Sequence, residues 1–388
     1  MKPRPVLHIP ALVVLLACLL ISGASANELT AHSHASAALS VWRIETVDSD
    51  GWVGLYSSLA LDASDRPHVS YFDEFSLDLK YAYWDAAGWH VERVDYMGNM
   101  GKYSSLALDA SDRPHISYYN ESNGDLRYAY QDISGWHIET VDGDGVNVGQ
   151  YTSLVLWGDQ PHISYYDYTH GNLKYAYKDA SGHPHIGTVD SSAGDVGLYT
   201  SLALDYAGRP HISYYDATNS DLKYAYHDGV QWQIATVPAG TGAVGAFTSL
   251  ALDAAGRPHI SYHDITQGDL EYAYQDASGW HVETVDSAGS VGAYTSLALD
   301  AAGQPHISYY DIGNADLKYA YKDSAGWHIE TVDNAGDVGS YSTSLALDSS
   351  GQPHISYYDD TNENLEYAYK PHMVFLPLVL RGATGQAR

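Results

Sequence analysis

Cysteine is nearly absent: Cys18 is the only one in 388 residues, and it lies inside an apolar leader. The rest of the chain therefore has no disulfide, no thiolate metal ligand and no thiol nucleophile. Basic side chains are scarce too, 19 against 48 acidic ones, for a formal net charge of −29 at pH 7. Such a surface repels nucleic acid and anionic lipid, which excludes both as partners. It suits solubility outside a cell, or affinity for cations. Beyond the leader no apolar run has the length of a membrane span. Helical periodicity is missing over any useful length, which excludes a leucine-rich or helical solenoid.

The leader reads as a signal peptide over residues 1–26. Lys2 and Arg4 precede the apolar core "ALVVLLACLLISG" (Ala11 to Gly23), and Ala24-Ser25-Ala26 forms a small-x-small cleavage site. The expectation is a secreted or cell-surface protein. A lipoprotein would need cleavage before Cys18 at "LLAC", but the residues after Cys18 stay apolar and a better site follows. Residues 27–40 read as a flexible segment. At the other end, 371–388 reads as an apolar tail; "MVFLPLVLRGATGQAR" (Met373 to Arg388) matches no repeat, and Pro377 makes it a poor central strand. An anchoring or sorting signal and an extra cap on the fold both fit it.

What fills residues 41–370 is repetition. Copies of one unit begin at Trp42, Trp89, Trp136, Pro184, Trp232, Trp280 and Trp327, a period of 47 or 48 residues, with the tryptophan replaced in the fourth copy. Each unit reads "WHIETVD", a glycine-rich link, "SLALD", a tight turn, "PHISYYD", a variable link, "LKYAY" and another tight turn. That is four short segments rich in Val, Ile, Tyr and Thr, each bounded by Gly, Asp, Asn or Pro. Four strands at this period predict an all-β, seven-bladed β-propeller. The 35 tyrosines and 35 glycines agree with strands and turns. The "WRIETVD" strand (Trp42 to Asp48) precedes the first complete set, so it is expected to pair with "LEYAY" (Leu365 to Tyr369) and close the ring.

Up-and-down strands put loops 1-2 and 3-4 on one face and loops 2-3 and 4-1 on the other. The first pair are near-constant Asp-to-Gly turns such as "DAAGRP" (Asp253 to Pro258) and "DSAGW" (Asp323 to Trp327). The second pair vary, from "EFSL" (Glu74 to Leu77) to "DTNE" (Asp360 to Glu363) and "SDGWVGL" (Ser49 to Leu55). The variable face is the candidate binding surface. Its candidate ligand-binding residues are Tyr56, Tyr103, Tyr151, Tyr199, Tyr294 and Tyr341, with Phe247 in the fifth copy, followed by Trp52 and the loop carboxylates Asp216, Asp221, Asp264 and Asp311. If the first strand lines the channel, the aromatics ring its mouth, a surface suited to sugars or an extended polymer; wedges between blades are the plainer use of the same residues. The stretch Asp216 to Asp221 is expected to be free to meet a partner.

Seven histidines recur at one strand position: His68, His115, His162, His211, His259, His306 and His354. Facing sheets lie ~10 Å apart, too far for neighbouring copies to share an ion across Zn–N bonds of ~2 Å. They read as buried hydrogen-bond partners of a serine or aspartate in their own blade. No cofactor is expected; "DGDGVN" is the nearest thing to a calcium loop, with Asp142, Asp144 and Asn147 as its ligands.

The region Trp42 to Lys370 resembles exported bacterial seven-bladed propellers built from near-identical tandem repeats. It is similar, more loosely, to the sialidase (BNR, Asp-box) superfamily, whose Asp-box occupies the 3-4 turn, here "DSAGW" with a different spacing. That resemblance implies an arginine triad, a tyrosine–glutamate nucleophile pair and an acid–base aspartate near the channel. Yet Arg66, Arg113, Arg209 and Arg257 fall in 1-2 turns on the opposite face, and Arg43 and Arg93 on outer strands, so no catalytic residue carries over. Seven near-equal blades also supply one group seven times, where a catalytic centre needs different groups with divergent pKa values. The reading is a monomeric, non-enzymatic propeller binding a carbohydrate or an extracellular protein. A sialidase-like glycoside hydrolase or lyase is the alternative, and a structural surface module the third.

Overall fold

In the computed structural model the described residues are 41–371 apart from Ala193. The expected signal peptide, residues 27–40 and the tail beyond 371 lie outside them. Among the described residues there are twenty-eight strands in seven four-stranded antiparallel sheets. Blade one comprises Val53–Leu61, Pro67–Asp73, Asp78–Asp85 and Gly88–Asp95 in that order. Blade seven takes Val338–Leu347, Pro353–Asp359 and Asn364–Tyr369 from the end of the repeat region, and Arg43–Asp48 from its start as the outer strand. Arg43 pairs with Tyr369 and Glu45 with Tyr367, so the ring is closed by the N-terminal strand. No helix among the described residues is long and apolar enough to cross a membrane.

The pattern of each strand follows from its place. The second strand packs on neighbouring blades with both faces, so "PHISYYD" is buried throughout and carries none of the alternation of a half-exposed strand. The first strands pack against one another around the axis. Each begins Val-Gly-x-aromatic, with Met100 replacing the valine in blade two, and the register of the ladder slips at that point, as between Val196, Leu198 and Ser201. The glycine is required there: Gly197 has φ of +105°, and a Cβ on it would stand 2.7 Å from Cα of Leu173 in the previous blade.

Blades are joined by hydroxyls as well as by apolar packing. Ser70 of blade one bonds Ser104 of blade two at 2.9 Å, Ser117 bonds Thr152 at 2.7 Å, and so on round to Ser356 and Ser57 at 3.1 Å. The Ser58 hydroxyl accepts the Leu106 N–H at 3.0 Å, and Ser344 closes that second circle on Leu59. Each link satisfies a buried group whose isolation would be costly.

Further out, Tyr71 donates to Asp48 at 2.7 Å, and Lys80 sits between Asp48 and Asp73 at 3.1 and 2.9 Å. Tyr309, Lys318, Asp286 and Asp311 repeat the arrangement in blade six. Blade five breaks it on both sides at once, with Pro238 in place of the aspartate and Glu271 in place of the lysine.

Candidate functional site

Hydrogen bonds between the variable loops place them on one face. Glu74 N–H donates to the Trp52 carbonyl at 2.8 Å, Glu121 to Asn99 at 2.9 Å and Ile265 to Ala243 at 2.9 Å, each joining a 2-3 loop to a 4-1 link. At the centre of this face stand the seven first-strand aromatics. From Tyr56 through Tyr103, Tyr151, Tyr199 and Phe247 to Tyr294, adjacent ring centroids are 4.4 to 4.7 Å apart and tilted by about half a right angle. Between Tyr294 and Tyr341 the spacing widens to 6.3 Å. The cause is local: the inner strand of blade seven is ten residues long where that of blade six is nine, and Tyr341 turns outward to 45% exposure.

All seven aromatics lie in the left-handed region, with φ from 52° at Tyr294 to 62° at Tyr341. Bulky side chains rarely adopt it, and each such residue stores roughly 1–3 kcal/mol of strain. The bulge begun by the glycine imposes it, and from Tyr56 to Tyr294 it sets six rings side by side around the mouth. Each stands on a second aromatic of its own blade, as Tyr151 on Tyr166 at 6.3 Å and Phe247 on His263 at 6.2 Å. Together with hydroxyls such as Thr152 and Thr200 they line a shallow recess of about 180 Å³. Burial pushes the Tyr56 and Tyr294 phenols up to about 12, and Tyr103, Tyr151 and Tyr199 higher still. These five phenols therefore stay protonated, and they present π faces and O–H groups to the recess.

Trp52 is half exposed in its 4-1 link and is not among the residues that line this recess. The loop carboxylates behave differently from the expectation, and the correction has a plain cause. Asp216 is fully buried; it accepts from Asn219 N–H and Nδ2 at 2.9 Å each and lies 3.4 Å from Lys223. Asp311 repeats this with Asn314 and Lys318, and Asp264 accepts from Gln267 N–H at 2.9 Å. These residues fold their own loops and are not displayed; Asp221, opposite Asp216 in the ladder, is part-buried. The three candidate calcium ligands do not converge either. Asp142 takes Tyr165 and Lys174, Asn147 takes Tyr119 at 2.9 Å, and Asp144 is exposed.

Sequence reasoning missed an exposed apolar sector on the rim of blade one. Phe75 is 79% and Met97 77% exposed, flanked by Tyr96 and Trp52. Two loop contacts make it continuous: the Glu74 bond to Trp52, and Met100 N–H to the Leu77 carbonyl at 2.9 Å. Four large apolar residues, Phe75, Leu77, Tyr96 and Met97, crowded into one 2-3 loop and the neighbouring 4-1 link were the available signal.

On the opposite face each "PH" histidine bonds through Nδ1 to a tyrosine hydroxyl on the third strand, His68 with Tyr81 and His211 with Tyr224, and in every blade but the third, that of His162, its other nitrogen faces the aspartate of the 1-2 turn. The aspartate partner was expected, the tyrosine was not; the serine turns to the next blade instead. Asp62 and Arg66 pair within the turn, as do Asp205 and Arg209, while Arg93 pairs with Asp78 and Arg127 with Asp95. None of these arginines reaches the mouth.

No protein-family model matches the chain, and no curated protein matches it significantly. Solved structures do. An ulvan lyase of polysaccharide lyase family 25, solved with a GlcA(1-4)Rha3S fragment bound, aligns at TM-score 0.59 and 13% identity over 84% of this chain and 95% of its own. The extracellular domain of a one-component system from B. thetaiotaomicron aligns at 0.54 and 10% over 84% of this chain and 40% of its own. A leech intramolecular trans-sialidase aligns at 0.45 and 13%, over 83% and 68%. The first two likenesses are of fold, and they agree with the strand order above: the chain is a seven-bladed β-propeller.

Proposed function

We propose that this protein is an exported, non-enzymatic propeller that binds a carbohydrate through the aromatic mouth of its variable face. The observation that carries the reading is the arc of six touching aromatics from Tyr56 to Tyr294, held in a strained backbone conformation and bordered by hydroxyls. Strain at this many equivalent positions needs a return, and flat aromatic faces beside hydroxyl groups are what a sugar ring stacks on. The recess is smaller than the ~300–1,000 Å³ of sites that engulf a ligand, which favours shallow contact with a chain end or an exposed polymer. The sialidase-like alternative is not better supported, because Arg66, Arg93, Arg113, Arg127, Arg209 and Arg257 each pair with an aspartate away from the recess. A second reading, an extracellular protein partner, rests on the Phe75–Met97 sector. Glycan-array screening tests the first: saturable binding that survives a chelator is expected. Turnover of a chromogenic sialoside, or retention of a protein but of no glycan, would replace it.

A further inference from the structure

Six of the seven blade junctions hold an indole. Trp136 of blade two stands edge-on to Tyr81 of blade one, with centroids 5.4 Å apart. The contact recurs at Trp89–Tyr367, Trp232–Tyr175, Trp280–Tyr224, Trp327–Tyr272 and Trp42–Tyr319, at 5.3 to 5.5 Å. At three of these junctions the indole N–H donates to Oε2 of a glutamate on the preceding blade's outer strand: Trp136 to Glu92 at 3.0 Å, Trp327 to Glu283 and Trp42 to Glu330 at 2.9 Å. In the last two a lysine, Lys322 or Lys370, bonds the same carboxylate.

The seventh junction, between blades two and three, keeps this receptor and lacks its occupant. Pro184 pairs with Lys178 in the ladder as Trp327 pairs with Lys322, so it stands where the tryptophan would. Its small ring leaves a cavity of about 150 Å³ walled by Tyr128, Glu139, Ile163, Ala176 and Lys178. Tyr128 still supplies the floor, and Lys178 bonds Oε1 of Glu139 and lies 5.5 Å from the Tyr128 ring, as Lys370 does from Tyr319. Oε2 of Glu139, the oxygen that takes the indole elsewhere, has no indole to meet.

We infer that this slot is a binding site for a small planar aromatic heterocycle bearing a ring N–H, of the size and polarity of indole. Apolar cavities of roughly 150 Å³ admit single aromatic rings. The edge-to-face contact with Tyr128 and a charge-assisted bond to Glu139 fix its orientation. The slot is bordered by Gly182 of a 3-4 turn, on the face opposite the mouth, so it stands apart from the proposed carbohydrate surface.

Titration calorimetry of the full chain with indole and with 1-methylindole, which has no N–H to donate, tests it. One saturable site for indole is expected, weaker by roughly tenfold for 1-methylindole. Pro184→Trp should fill the slot, raise the melting temperature and abolish binding. Glu139→Ala should weaken indole to the level of 1-methylindole and leave the latter unchanged; it decides the matter should Pro184→Trp not fold. No saturable heat up to the solubility limit, undiminished binding by folded Pro184→Trp, or equal affinity for the two probes would each overturn the assignment.

Discussion

Nδ1 of His211 lies 2.5 Å from the hydroxyl of Tyr224, and its Nε2 faces Asp205 at 3.8 Å. One imidazole thus joins the second strand to the third and to the 1-2 turn of its blade, with 7% of its surface exposed. His211→Ala would leave the Tyr224 hydroxyl buried without its partner and open a cavity beside it. A loss of about 2–4 kcal/mol is expected, read as a lower melting temperature with glycan capture unchanged. Loss of capture at unchanged melting would make His211 a ligand contact.

The same histidines set an acid limit. Burial pulls His68, His115, His211, His259 and His306 below the ordinary imidazole value, against the opposing pull of a turn aspartate. His162, whose turn lacks that aspartate, falls to about 4. A folded-state pKa below the unfolded value of about 6.5 means that the unfolded chain binds more protons in between. The stability contribution is therefore complete above about 6.5 and is lost as pH falls toward 4, by up to about 1.4 kcal/mol per pH unit at each site. Calorimetric scans from pH 7.5 to 4.5 should show a steep, cooperative fall in melting temperature, shallower in His162→Gln. A flat profile down to pH 5 would refute burial of the imidazoles as the cause.

Blade seven carries one charge of the wrong sign. Glu366 occupies the position of Lys80 and Lys318, with Asp333 and Asp359 close enough to act on it, and desolvation first and those carboxylates next push it up to about 6. It keeps a bond from Thr46 on the closing strand at 2.8 Å. Because its folded pKa is raised, it favours the fold at low pH and costs about 2 kcal/mol once ionised above 6. Glu366→Lys should recreate the aspartate–lysine–aspartate arrangement and raise the melting temperature at pH 7.5, with a smaller gain at pH 5. Glu271→Lys, where Pro238 has removed one aspartate, should gain less. Equal shifts at both pH values would count against the electrostatic account.

The fold was legible because its signals are local: short segments rich in Val, Ile, Tyr and Thr, Asp-to-Gly turns and a repeat count that left one strand over for closure. What joins blades was not. The Trp136–Tyr81–Glu92 set spans residues of two units, and sequence spacing says nothing about which side chain of a neighbouring wedge it meets. The loop aspartates were misread for a related reason. Asp216 begins a turn, which marks exposed residues in general, but Asn219 and Lys223 close over it. The positive φ of the mouth tyrosines had a signal that went unused, a glycine two residues before an aromatic in every copy, where a plain strand has no need of either.

The mouth itself is open to a substitution that separates folding from binding. Tyr151 has φ of 54° and touches Tyr103 and Tyr199 at 4.6 and 4.7 Å. Asparagine tolerates that conformation better than tyrosine does, so Tyr151→Asn should offset the lost ring contacts with relief of strain and hold stability within about 1 kcal/mol. A glycan captured by the unaltered protein should lose at least roughly tenfold in affinity, since a stacking face and a hydroxyl leave together. The same exchange at Tyr341, which stands apart at the wide seam, should cost less binding. If Tyr151→Asn instead melts far below the parent while its glycan affinity is preserved, the aromatics serve as wedges between blades and the ligand lies elsewhere on the face.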